Sequence, residues 1–314
     1  MIILISGGCK NGKSSFAQDL ACKLAKKTQY PPIYFATMLP YDKEDKERIE
    51  KHREDRKNLG FLTVECGKDV ATAIEKIRGR AVLFDSLTAL TANEIFLGKV
   101  DFSDLIKKEK YLYQKVYTDL IALCDAADSV IFVSDGIYRD GNLYDSISEL
   151  YRRILASLEK SIAKKSQLVY EMVAGKAKII KKQSLEVQEN GGNMNVIIGG
   201  AYQGKTVFAK KQFSISDSDI HNCQTDFPPD LSKKCLTHYE NYVAYCIKNK
   251  LPVQTDFSGS QVKTIICDDI FCGIVPVDEF QRRLREEAGR ALQKIANADS
   301  SLYRVFCGIG ERIS

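Results

Sequence analysis

The stretches GGCKNGKS (Gly7–Ser14) and GGAYQGKT (Gly199–Thr206) both fit G-x-x-x-x-G-K-[ST], a spacing whose chemistry is the capture of polyphosphate. Glycines let successive backbone N–H groups converge on one phosphate, and a helix N-terminus behind them adds partial positive charge. In the first stretch Gly7, Gly8, Cys9, Lys10, Asn11 and Gly12 form the turn, and Lys13 reaches the β- and γ-phosphates. Ser14 offers a hydroxyl to Mg²⁺, and Ser15 follows in the helix. In the second, Gly199, Gly200, Ala201, Tyr202, Gln203 and Gly204 form the turn, with Lys205 and Thr206 as the lysine and the metal-binding hydroxyl. The pair predicts a nucleotide-binding protein. The second loop is open to two readings, a working site or a turn kept for folding.

The magnesium ion also needs an acid at the end of a neighbouring strand. Asp85, closing AVLFD, is read as that acid or as a cap for the turn after it. In the second half only Asp268 and Asp269, after TIIC, are comparable, and they are less well placed.

A histidine stands among arginines in KERIEKHREDRK. Arg48, His52 and Arg56 share one face of a helix, with Arg53 beside them. Such a charge run is read either as a solvated helix face or as chemistry. In the second reading the cations keep His52 neutral and nucleophilic and clamp phosphate oxygens, so that the imidazole can form a phosphoramidate. His221 and His238 lack this setting and receive no role.

The elements that must hold these residues alternate. IILIS, PIYFAT, AVLFD and SVIFVSD read as buried parallel strands. Between them the pattern predicts helices at Ser15–Lys27, Lys43–Asn58, Asp69–Arg78, Phe102–Asp125 and Leu143–Lys164. Residues 183–194 dissolve into a polar, glycine-containing linker. Beyond it come NVIIGG, a helix from Gly204, a helix near Thr237–Lys250, the strand KTIIC, a helix over Asp278–Ala298 and the strand YRVFC. The expected fold is α/β and P-loop NTPase-like: doubly wound, mainly parallel sheets in two tandem domains, residues 1–182 and an abbreviated 195–314.

Bulk properties narrow the function further. At 314 residues two domains are natural, and 44% hydrophobic residues exclude wholesale disorder. A net charge of +5 spread among nearly as many acids argues against a nucleic-acid partner. No apolar run is long enough for a membrane span, and the N-terminus does not read as a signal peptide. The ten cysteines show no CxxC spacing and read as reduced thiols of a cytoplasmic protein, without structural zinc.

With these residues in view the first domain resembles the bifunctional adenosylcobinamide kinase/adenosylcobinamide-phosphate guanylyltransferase family of cobalamin biosynthesis. The resemblance rests on SGGCKNGKS (Ser6–Ser14), IYFAT (Ile33–Thr37), RIEKHREDR (Arg48–Arg56), TVE (Thr63–Glu65) and LFDSLT (Leu83–Thr88). It implies phosphorylation of adenosylcobinamide by ATP or GTP, then transfer of GMP from GTP through a guanylylated histidine, which is His52 here. It also implies nucleotide contacts at Thr37, Arg48, Arg53, Arg56 and Glu65, beside the Mg²⁺ ligands Ser14, Asp85 and Thr206 expected from the two loops and the end of AVLFD.

The departures are complementary. The later part of the family pattern has eroded in the first domain, at SDGIYRDGN (Ser134–Asn142) and YRRILASLEK (Tyr151–Lys160). The second domain keeps GIVP (Gly273–Pro276), LREEAGRALQ (Leu284–Gln293) and CGIGERI (Cys307–Ile313), but has no His-Arg helix. The expectation is a fused, diverged duplication with sites where domains meet, as a monomer or a homo-oligomer. Alternatively, the first domain transfers GMP and the second phosphorylates. Two other functions stay open: a nucleotide-binding regulatory or assembly protein without catalysis, and a P-loop kinase of another small molecule.

Overall fold

The computed structural model describes residues 1–8, 11–39, 59–97, 104–138, 144–173, 175–182, 194–270, 278–298 and 300–313. They form two compact units, Met1–Gly136 with Tyr144–Leu185, and Ile137–Leu143 with Glu186–Ser314.

The first unit is built on β1 (Ile2–Gly7), β2 (Ile33–Ala36), β3 (Leu62–Glu65), β4 (Ala81–Asp85), β5 (Ser129–Asp135), β6 (Leu168–Val173) and β7 (Lys176–Lys182). Its strand order is β3-β2-β4-β5-β1-β6-β7, parallel except for the β6–β7 pair. Both faces are covered, as the continuous apolar strands require. On one face Ile3, Ile5, Leu83 and Ile131 meet Ala17, Ala21 and Leu24 of α1 (Lys13–Thr28). The alternate residues turn the other way, where Phe35, Phe84 and Phe132 meet in register with centroids 5.1 and 5.3 Å apart, the first pair stacked and the second tilted. That face is covered by α2 (Leu87–Phe96) and α4 (Ser146–Lys165), with α3 (Leu105–Ala126) packed against α4.

The α1 helix confirms the expected element, whereas Asp69–Arg78 does not form an α-helix. It is a 3₁₀ turn over Val70–Lys76, as suits a short segment with β-branched Val70, Thr72 and Ile74 behind a left-handed Asp69. The helix expected from Phe102 runs from Leu105, where the Asp104 side chain accepts the Lys107 N–H. Expected helix Lys43–Asn58 and linker residues 183–193 lie outside the described residues.

The second unit has β8 (Met194–Gly199), β9 (Ile220–Asn222), β10 (Cys235–Thr237), β11 (Thr264–Asp268), β12 (Ser300–Phe306) and β13 (Ile309–Arg312). Their order is β13-β12-β8-β11-β10-β9, again parallel save for a terminal hairpin. Val196, Leu236 and Ile265 pack against α6 (Tyr239–Asn249) and α7 (Glu279–Ala296), which buries Leu284, Ala288 and Leu292. Ile197, Ile266 and Tyr303 face Ala209 of α5 (Lys205–Phe213). Both chain segments therefore form mainly parallel α/β sheets.

Close approach fixes the glycine that ends β1. A Cβ on Gly7 would lie 2.6 Å from the Met172 carbonyl oxygen, and one on Gly199 2.4 Å from that of Val305. Since the obstacle is backbone, Gly7→Ala should destabilise the first unit by about 1–2 kcal/mol, measured by urea unfolding.

Candidate functional site

The first phosphate loop ends in a left-handed Gly12 that caps α1 without a side-chain acceptor. The first amides of α1 thus have no side-chain partner at the cap, the condition for receiving an anion. Lys13 is buried: its Nζ donates to the carbonyls of Gly7 (3.1 Å) and Gly8 (2.7 Å). The same ammonium forms a 2.7 Å ion pair with Asp135. Asp135 arrives beside the loop because β5 is the direct neighbour of β1, with Gly7 in register with Asp135.

Asp85 stands one strand further away, at the end of β4, where Val133 is its register partner. The Tyr34 hydroxyl donates to Asp85 Oδ2 at 2.7 Å. Ser86 caps α2 by accepting the Ala89 N–H, so the capping role after β4 belongs to Ser86 rather than Asp85. A cavity of about 660 Å³ is lined by Asn11, Gly12, Lys13, Ser14, Ser15, Tyr34, Asp85, Thr88, Asp135 and Tyr151, among others. Burial pushes the Tyr151 hydroxyl well above its usual range, so it stays a neutral donor at this wall.

Not every expected contact lines this cavity. Thr37 is wholly buried, its hydroxyl donating to the Ser86 carbonyl at 2.9 Å while its carbonyl accepts from Asn93. Glu65 is exposed at the end of β3, the outer strand. Cys9, Lys10, Arg48, His52, Arg53 and Arg56 lie outside the described residues. Sequence reasoning missed Asp135, Tyr34, Thr88 and Tyr151. Tyr34 and Thr88 lay inside the quoted stretches IYFAT and LFDSLT, and Asp135 closed a strand ending in SD, but none was singled out.

The Ser14 hydroxyl and the Asp85 carboxylate are oxygen donors on one cavity, the donor type that a hard divalent cation takes. A different acidic group is formed by Asp69, Glu94 and Asp119, and it is partly neutralised. The Lys115 ammonium bridges Asp69 and Glu94 at 2.7 Å each.

The second loop repeats part of this arrangement. Gly204 is left-handed and caps α5, again without a side-chain acceptor. Buried Lys205 donates to the Gly200 carbonyl at 2.7 Å and pairs with Asp268 at 2.6 Å. Gly199 is in register with Asp268 as Gly7 is with Asp135. The Ala201 N–H goes to the Tyr138 carbonyl, and Gln203 binds the backbone of Cys307 and Gly308. Tyr202 and Thr206 complete the turn and the first helical residues. Asp268 therefore occupies the counterpart of Asp135, and Asp269 that of Gly136: each donates its N–H to the first loop glycine. His238 and Glu240, assigned nothing from sequence, stand at the start of α6 close to this loop, with Glu240 Oε2 accepting the Asp268 N–H.

Among solved structures, the chain is similar to the flagellar accessory protein FlaH from Methanocaldococcus jannaschii, at 17% identity over 58% of this chain and 78% of that one. A TM-score of 0.30 does not by itself establish a shared fold. No curated protein matches the sequence. No helix among the described residues is long and apolar enough to cross a membrane. Residues 3–180, more than half of the chain and nearly all of the first unit, match the family described as cobinamide kinase / cobinamide phosphate guanyltransferase. The loop, the paired Lys13 and the cavity that holds Asp85 all lie within that match, and the chain belongs to this family of bifunctional kinase and nucleotidyltransferase enzymes of cobalamin biosynthesis.

Proposed function

We propose that this enzyme phosphorylates the aminopropanol hydroxyl of adenosylcobinamide with ATP or GTP and then transfers GMP from GTP to that phosphate through His52. The observation that carries the proposal is the family match over residues 3–180, which takes in the first loop, its cavity and the His-Arg segment together. We place the reactions in the cytoplasm, in keeping with described cysteines that are all free thiols.

In this scheme the amides at the start of α1 and the Lys13 ammonium hold the nucleotide phosphates, and Asp135 keeps the lysine folded over the loop until they arrive. Ser14 and Asp85 would hold Mg²⁺, with Tyr34 orienting the carboxylate. When bound, the ion offsets charge on the phosphoryl group in transfer. Attack of the neutral His52 imidazole on the α-phosphorus forms a P–N bond and breaks the bond to the β-phosphate oxygen, releasing pyrophosphate. The cobinamide phosphate oxygen then displaces the imidazole, leaving the GMP moiety on the substrate and His52 free. The arginines Arg48, Arg53 and Arg56 stabilise charge on the phosphoryl oxygens during both displacements.

We further infer that the two units are a diverged duplication, since glycine, lysine and strand-ending aspartate repeat in the same register. The proposal is tested with GTP labelled at the α-phosphate. The wild type should retain an acid-labile, base-stable label, and His52→Ala should retain none. Equal labelling of both would assign the nucleophile elsewhere, and an unlabelled wild type would remove the covalent route.

A further inference from the structure

The two sheets can be compared position by position without relying on side-chain identity. In the first, Gly7 pairs with Asp135, and Val133, two residues earlier on β5, pairs with Asp85 of β4. In the second, Gly199 pairs with Asp268, and the β10–β11 register of Leu236 with Ile265 carries Thr237 to the position opposite Ile266, two residues before Asp268.

Backbone and side-chain bonds agree with this alignment. The Thr37 N–H donates to the Asp85 carbonyl at 3.1 Å, and the Cys223 N–H to the Thr237 carbonyl at 3.0 Å. Three residues beyond each of these positions, Thr88 accepts the Asp135 N–H and Glu240 accepts the Asp268 N–H, both at 2.9 Å. Thr237 therefore stands where the first sheet has its metal-binding acid.

That threonine is poorly suited to replace the carboxylate. It is buried, and its hydroxyl donates to the His221 carbonyl at 3.3 Å. Asp268 is the counterpart of Asp135, which in the first site accompanies Asp85 and does not substitute for it, and it is paired with Lys205. The donor set at the second loop thus does not fit the Mg²⁺ site expected at Thr206. Although the Ala201 N–H is taken by the Tyr138 carbonyl, other parts that meet phosphate persist: the left-handed Gly204, the uncapped start of α5 and the buried Lys205. The one further acid that the alignment brings in, Glu240 at the place of Thr88, is buried and its Oε2 is engaged by the Asp268 N–H.

We propose that the second loop, Gly199–Thr206, binds a nucleoside triphosphate without a divalent cation. This rests on the reading of that loop as a nucleotide site.

The test uses the full chain carrying Lys13→Ala, which disables the first loop, titrated calorimetrically with GTP in excess Mg²⁺ and in excess EDTA. Dissociation constants within about threefold of each other support the proposal, as does loss of binding in both buffers for Lys13→Ala/Lys205→Ala. Binding weakened tenfold or more by EDTA would overturn the proposal while leaving the loop a nucleotide site. Failure of Lys13→Ala to bind in either buffer would overturn that reading and the proposal with it. Unchanged binding by the double variant would place the ligand elsewhere and overturn both.

Discussion

Replacing Lys13 by alanine should lower kcat/KM for phosphorylation of cobinamide at the first loop by about two to three orders of magnitude, the loss typical for removal of one positioned group that stabilises developing charge. The expectation comes from where the lysine is held. Its side chain is 7% exposed and its ammonium is fastened to two loop carbonyls and to Asp135. It can exchange these partners for phosphate oxygens with little movement. Loss of the ammonium also leaves Asp135 facing the incoming polyphosphate with like charge. The fold should survive, because Asp135 is 36% exposed and water can take over its solvation. Melting temperatures close to the wild type, with activity reduced at least a hundredfold, would be the matching result. Activity within tenfold of wild type would mean that the phosphates are not bound at this loop.

How far such a site is legible in sequence depends on whether the relation is local or sheet-wide. The loop is local: Gly7, Gly12, Lys13 and Ser14 fall within one turn, and the apolar run before them announces a buried strand. The strands AVLFD and SVIFVSD were equally plain. Both end in aspartate, however, and nothing in either stretch says which lies beside the loop. That is decided by the order β4-β5-β1, a long-range property, and it gives Asp135 the lysine and Asp85 the more distant place with Tyr34. The same ambiguity made Asp268 look like a metal-binding acid until the register gave it the place of Asp135. Helix α2 escaped notice because LTALTANEIF buries residues around much of its circumference and carries little helical alternation. Thr237 stands at the register position of Asp85, and Glu240 at that of Thr88, with no trace of sequence identity. Only parallel pairing aligns them.

Glu240 should leave a pH signature on the stability of the second unit. Its carboxyl is buried, and burial together with the neighbouring Asp268 charge raises its proton affinity from the ordinary 4.5 to about 7. Between those values the folded protein holds a proton that the unfolded chain has released. Stability therefore falls as pH rises across this window, by up to about 1.4 kcal/mol per pH unit and about 3 kcal/mol in all, and levels off above it. His238, close to Asp268 and Lys205, acts in the opposite sense. Burial lowers its pKa, so the unfolded chain binds the extra proton and stability rises with pH toward 6.5. The wild-type profile is the sum of two opposing slopes, and replacement of one residue separates them. Glu240→Gln keeps an oxygen for the Asp268 N–H but cannot titrate. In urea unfolding of the full chain, the variant's advantage over wild type should grow from pH 5 to pH 7 and then hold steady. A difference that does not change with pH would show that Glu240 is ionised throughout, and that the second loop carries one more negative charge than its buried geometry implies.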